Sequence, residues 1–300
     1  MKPILERIKN GEILVADGAM GTMLFDRGLR PGDCPELLNL TKPEILEEIA
    51  QIYFKAGADI IQTNTFGGSP LKLSDYALED KCEEINSKAV ECVRKGIGER
   101  AYISGSCGPS GKLLKPYGDT EPELLLNGFE RQIDALVKAG VDIICIETMT
   151  DLHEATIAVN VAKNIHPEIP VMVSMTFDKI PKGYYTIMGV NIENAVKGLE
   201  DAGADVIGSN CGNGIDNMID IANQMKELSD RPLLIQSNAG IPEISDGEIV
   251  YPESPIYFED KTLELIEAGV SIIGGCCGTT PEHIRAIRKV VDSSIRVKVE

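Results

Sequence analysis

One short junction occurs four times along this chain, and it limits the possible folds more than any other feature. Its copies are Lys55-Ala56-Gly57-Ala58-Asp59-Ile60-Ile61, Lys138-Ala139-Gly140-Val141-Asp142-Ile143-Ile144, Asp201-Ala202-Gly203-Ala204-Asp205-Val206-Ile207 and Glu267-Ala268-Gly269-Val270-Ser271-Ile272-Ile273. Each reads as the end of a helix, a glycine just past it, and then a strand buried on both faces. The copies are spread over the whole chain, which is the pattern of a repeated βα unit.

Four further apolar runs of strand length lie between them: Ile13-Leu14-Val15-Ala16, Ala101-Tyr102-Ile103-Ser104, Val171 to Met175, and Leu233 to Gln236. Helical stretches separate the strands, at roughly Pro43–Ala56, Glu83–Lys95, Glu121–Lys138, Leu152–Ile165, Ile192–Ala202, Asn217–Leu228, Ile256–Ala268 and Pro281–Val291. Residues 27–41, with their Gly, Pro, Asp and Asn, read as a long loop. Eight strands alternating with eight helices in 300 residues predict a single (β/α)8 TIM barrel of the α/β class, one domain over residues 1–300. An open doubly wound sheet is the competitor, but no G-x-G-x-x-G turn follows the first strand.

Charge and leader signals narrow the function. A net charge of −18 argues against nucleic acid and anionic membrane surfaces as partners. The N-terminus carries no signal-peptide pattern and no apolar run reaches spanning length, so the expected compartment is the cytoplasm. Eight cysteines in that setting point to thiols or a metal, not to a disulfide framework.

In a barrel, the residues just past each strand converge at one mouth. Here they are Asp17, Asn64, Cys107, Glu147, Phe177, Cys211, Asn238, and the pair Cys276-Cys277. Gly274-Gly275-Cys276-Cys277-Gly278 alone reads equally as a metal site or as two small buried residues. With Cys211 at the same end, three sulfurs meet and a metal becomes the stronger reading. Thiolates favour zinc over magnesium or calcium, and three protein ligands leave a position for a substrate. A thiol bound there loses its proton and stays electron-rich, which suits alkyl transfer to sulfur better than hydrolysis. Cys211, Cys276 and Cys277 are therefore the candidate catalytic and metal residues.

Asp17 and Glu147 are either structural hydrogen-bonders or a grip for a substrate ammonium. Glu147 follows the apolar run Ile143-Ile144-Cys145-Ile146, where an unpaired carboxylate would be costly, and this favours function. Asn238 is either a neutral fourth metal ligand or a turn residue before Gly240. Cys107 reads as packing. His153, His166 and His283 read as surface or capping residues.

Six stretches, DGAMGT (Asp17 to Thr22), TNTF (Thr63 to Phe66), IET (Ile146 to Thr148), SNCG (Ser209 to Gly212), NAG (Asn238 to Gly240) and GGCCGTTPEH (Gly274 to His283), carry a resemblance to the homocysteine S-methyltransferase family. They run in the family's order over nearly the whole chain. They look most like the homocysteine-binding barrel of cobalamin-dependent methionine synthase. The resemblance implies Zn2+ on Cys211, Cys276 and Cys277, homocysteine sulfur as incoming ligand, and Asn238 in that position without substrate. It implies that Asp17 and Glu147 grip the amino group, with the amides of Gly18 and Ala19 binding the carboxylate. Asn64 counts with these as a substrate contact.

The sequence ends soon after the eighth helix, so a corrinoid methyl donor would have to ride on a separate protein. The expected activity is methyl transfer to homocysteine. Alternatives are a corrinoid-dependent demethylation component with another thiol or acceptor, an S-methylmethionine-type donor, or a non-catalytic zinc-stabilised barrel.

Overall fold

A computed structural model describes residues 1–245 and 248–297. Residues 246–247 and 298–300 of the expected 1–300 span lie outside the described residues. Eight parallel strands form one sheet: β1 (Leu14–Val15), β2 (Ile60–Gln62), β3 (Tyr102–Cys107), β4 (Ile143–Met149), β5 (Val171–Met175), β6 (Val206–Asn210), β7 (Leu233–Ser237) and β8 (Val270–Gly275). Their spatial order is β1-β8-β7-β6-β5-β4-β3-β2. A parallel bridge between Ala16 and Ile60 joins the two ends, so the expected (β/α)8 TIM barrel is the observed fold. The eight outer helices are α1 (Pro43–Ala56), α2 (Cys82–Ile97), α3 (Pro122–Ala139), α4 (Leu152–Ile165), α5 (Ile192–Asp201), α6 (Ile215–Leu228), α7 (Pro255–Glu267) and α8 (Pro281–Val297).

The repeated junction has a second purpose beyond its glycine. Gly57, Gly140, Gly203 and Gly269 all take positive φ, from 83° to 104°, which ends each helix cheaply. The aspartate two residues on then clasps the preceding strand. Asp59 donates its N–H to the Val15 carbonyl at 2.7 Å and accepts from the Val15 N–H at 3.0 Å. Asp142 does the same with Ile103, at 2.8 Å for both bonds, and Asp205 with Val171, at 2.9 and 2.8 Å. The fourth copy has Ser271, which has no carboxylate to close that ring, and the β7–β8 pairing shifts register between Val270 and Ile272.

Side chains alternate along the strands. Val15, Ile61, Ile103, Ile144, Val173, Ile207, Ile235 and Ile273 point out into the layer beneath the helices. Leu14, Ile60, Tyr102, Ile143, Met172, Val206, Leu234 and Ile272 fill the lower barrel, and Ile4 and Ile8 of a short N-terminal helix cover its base. Each such burial contributes about 1.5–3 kcal/mol. Further up the same strands the interior turns polar, with Gln62, Ser106, Glu147, Asn210 and Gln236. An apolar floor under a polar top confines the chemistry to the carboxyl ends of the strands.

The structure corrects one expectation directly. Residues 27–41 are not a plain loop: they hold a 3-10 turn at Pro35–Leu37 and a helical turn at Leu38–Thr41. Leu37 and Leu40 pack on a small core of Cys34, Leu73, Cys82 and Ile85, which orders the segment over the mouth. Two hairpins also stand among the strand-end loops, Asp178–Ile180 with Gly183–Tyr185 and Glu243–Ser245 with Glu248–Val250. Among the described residues, no helix is long and apolar enough to cross a membrane.

Candidate functional site

The mouth opens into a cavity of about 280 Å³. Asp17, Gly18, Ala19, Asn64, Glu147, Cys211, Cys276 and Cys277 all line it, and Pro35 and Glu36 come in from the segment above. Asn238 is not on that lining. Cys107 is fully buried among the residues beneath the helices, and burial pushes its thiol far up, so it is a packing residue.

Cys211 follows β6, and Cys276 and Cys277 follow β8. Their sulfurs all lie within 4.8 Å of one another, and those of Cys211 and Cys277 are 3.8 Å apart. Zinc–sulfur bonds of about 2.3 Å in a tetrahedron set sulfurs ~3.8 Å apart, so this spacing fits zinc. The three thiols interact, so that ionising one of them disfavours ionising the others. Hydrogen bonds from Cys276 and Cys277 shift Cys211 well below the ordinary thiol range, and the same hydrogen bonding with Cys211, with burial and its charge behind it, pushes theirs up. The amide of Asn238 also lies against Cys211, and its buried Oδ1 has no partner among the described residues. The nitrogen of that amide faces Cys211, and its orphaned buried oxygen has the donor chemistry a fourth ligand to a cation would need.

Two carboxylates face the cavity. Asp17 Oδ2 accepts from the Gln62 N–H at 2.8 Å, while its Oδ1 is buried without a partner. Burial pushes the Asp17 carboxyl up to about 8 against that hydrogen bond, and the charge of Glu147 adds to the rise. Glu147 accepts from the Ser106 hydroxyl at 2.5 Å. Burial pushes it up to about 7, the Ser106 bond opposes this, and the charge on Cys211 raises it further. Among the described residues, no lysine or arginine pairs with either one. Neither carboxylate therefore has its charge balanced by a basic side chain among the described residues.

The loop after β1 and the cysteine loop are laced together. Ala19 N–H donates to Thr279 Oγ1 at 3.1 Å, and that hydroxyl donates to the Cys276 carbonyl at 2.7 Å. Gly275 N–H donates to the Asp17 carbonyl at 2.9 Å. The Ala19 amide, expected to bind a substrate carboxylate, is thus engaged within the protein. The Gly18 amide finds no acceptor among the described residues and stays available. Asn64 donates its amide to the Pro35 carbonyl at 2.8 Å and to Asn39 Oδ1 at 3.0 Å, so it anchors the segment over the mouth.

Several contributors have no distinct signal in the sequence. Asn210, at the end of β6, bonds Thr148 and Ser174 from within the core. Thr148 and Cys211 both take left-handed backbone, φ 59°, at a cost of about 1–3 kcal/mol each. The ring of Tyr251 lies over Gly278, where an added Cβ would fall 2.0 Å from it. Its phenol is pushed up, by burial first and then by the charge on Cys277. His283 is buried, accepts from the Thr280 N–H at 3.0 Å as a cap of α8, and meets the Glu253 carbonyl through Nε2 at 2.9 Å.

Comparison with known proteins identifies the family and the fold. The profile of the family described as Homocysteine S-methyltransferase matches residues 14–291. Methionine synthase of Mycobacterium leprae is 33% identical over 296 residues, covering 93% of this chain, and methionine synthase of Mycobacterium tuberculosis is 32% identical over the same length. The chain spans only 24% of the length of these curated relatives. Among solved structures, the metallated form of the homocysteine methyltransferase MmuM from Escherichia coli superposes with a TM-score of 0.79. It is 22% identical and covers 96% of this chain and 99% of that one. A methyltransferase from Methanosarcina mazei gives a TM-score of 0.64 at 13% identity, covering 98% of both chains. At these identities the structural matches speak to the fold.

Proposed function

The chain belongs to the homocysteine S-methyltransferase family, and on that footing we propose that it transfers a methyl group to the thiol of homocysteine, giving methionine. The reading extends to zinc on Cys211, Cys276 and Cys277, with Asn238 as fourth ligand before substrate arrives. The methyl donor in this reading is a methyl-corrinoid carried by a separate protein, and the reaction belongs in the cytoplasm, where free cysteines stay reduced. One observation carries it: three sulfurs from two strands gather within 4.8 Å beside two buried carboxylates that have no cation of their own.

Zinc, when bound, lowers the pKa of a coordinated thiol so that a thiolate persists at neutral pH. The chain's own residues do the rest. Asp17 and Glu147 receive the substrate ammonium, which restores the charge that burial denies them. Ser106 holds Glu147 in place, and the Gly18 amide is free for the substrate carboxylate. Fixing the amino end turns a chance encounter with the donor into an oriented one. A bond forms between sulfur and the methyl carbon, and the carbon's bond to the donor breaks with its electron pair left on the donor.

The test is demethylation of free methylcobalamin by the zinc-loaded protein. Homocysteine-dependent loss of the methyl group with formation of methionine is the expected result. Turnover with another thiol but not homocysteine would transfer the chain to the demethylation-component reading. Absence of turnover with every thiol and donor would leave a binding barrel.

A further inference from the structure

Asn210 is fully buried at the end of β6 and meets five groups with one amide. Its Oδ1 accepts from the Thr148 N–H at 2.8 Å and from the Ser174 hydroxyl at 2.7 Å. Its Nδ2 donates to Thr148 Oγ1 at 2.8 Å and faces Glu147 Oε2 at 3.5 Å and the Cys276 sulfur at 3.9 Å. A backbone N–H can only donate, so the oxygen must face Thr148 N and the nitrogen must face the other way.

The two cavity-lining residues that take left-handed backbone without being glycine sit on either side of this amide. Thr148 is gripped through both its N–H and its hydroxyl, and Cys211 follows Asn210 directly. Such angles persist only where the surroundings over-determine them. The amide therefore spans the gap between Glu147, on the ammonium side of the cavity, and the cysteines on the sulfur side.

We propose that Asn210 is a positioning residue that fixes the separation of the ammonium and sulfur subsites and so makes the site select homocysteine over a thiol one methylene shorter. This rests on the proposed function. A rigid gap between two subsites is read by the substrate as chain length, and one methylene of mismatch is worth roughly 10- to 200-fold. A loosened gap accepts both lengths and loses rate with the correct one.

The test compares Asn210→Ser, Thr148→Val and Thr148→Ser with wild type. The thiols are homocysteine, cysteine and the des-amino analogue of homocysteine, and zinc content is measured alongside. Asn210→Ser is expected to keep its zinc and lose about 10- to 100-fold in kcat/KM with homocysteine. Its preference for homocysteine over cysteine collapses toward unity, while the des-amino analogue, which makes no use of Glu147, changes by under about 3-fold. Thr148→Val shifts selectivity in the same direction, and Thr148→Ser, which keeps the hydroxyl, restores it. If Asn210→Ser does not fold, the Thr148 pair decides.

Equal losses with all three thiols, or an unchanged homocysteine-to-cysteine ratio, overturn the inference. Binding calorimetry with the same thiols reads selectivity without turnover. A wild type that binds homocysteine selectively but moves no methyl group therefore defeats the proposed function and still decides this inference.

Discussion

The backbone N–H of Ala19 donates to the hydroxyl of Thr279 at 3.1 Å, joining residues 260 apart in sequence. The same hydroxyl holds the Cys276 carbonyl, so one oxygen ties the Asp17 loop to the cysteine loop. Thr279→Val keeps the shape and strands a buried N–H. It is expected to cost about 1–3 kcal/mol, seen as a lower urea midpoint, and to raise KM for homocysteine. Thr279→Ser should stay close to wild type in both.

Asp17 links stability to function through pH. Burial raises its pKa from 3.8 to about 8, so the folded protein keeps a proton that the unfolded chain releases between those values. The stabilising share of this group is fully present below the unfolded pKa and is lost as pH rises through the folded one. Asp17→Asn cannot ionise. Zinc-free Asp17→Asn is expected to melt above wild type near pH 8, with the gap closing toward pH 4, and to bind homocysteine much more weakly. A difference in stability from wild type that is the same at pH 4 and pH 8 would contradict the buried-carboxylate account.

Cysteines of similar sequence appearance should separate by location. Cys276→Ala is expected to lose bound zinc and thiol-dependent turnover. Cys107→Ala, beneath the helices, should keep both and lose only about 1 kcal/mol from a small cavity. Metal analysis and urea denaturation of the two proteins check this together.

The strand clasps are a matter of fold, not chemistry. Asp142→Ala leaves the Ile103 N–H without its side-chain acceptor and is expected to cost about 1–2 kcal/mol. The readout is a lower urea midpoint at unchanged slope, with zinc content intact.

The barrel was legible because each junction repeats local information: a helix end, a positive-φ glycine and a run of branched residues. The three sulfurs and two carboxylates were legible because strand ends in such a fold share one address. Asn210 was not, since a buried asparagine is indistinguishable in sequence from a turn residue until Thr148 and Ser174 are seen around it. The same holds for the Ala19 amide, whose partner Thr279 lies at the other end of the chain. The ordering of residues 27–41 was missed because Leu37 and Leu40 find their core only in Leu73, Cys82 and Ile85.

X-ray absorption at the zinc edge, with and without homocysteine, tests the central claim most directly. The account predicts three sulfur neighbours and one lighter atom in the protein alone, and four sulfurs once homocysteine is added. A sulfur number that does not change on adding homocysteine, or a protein purified fully active without zinc, would contradict it.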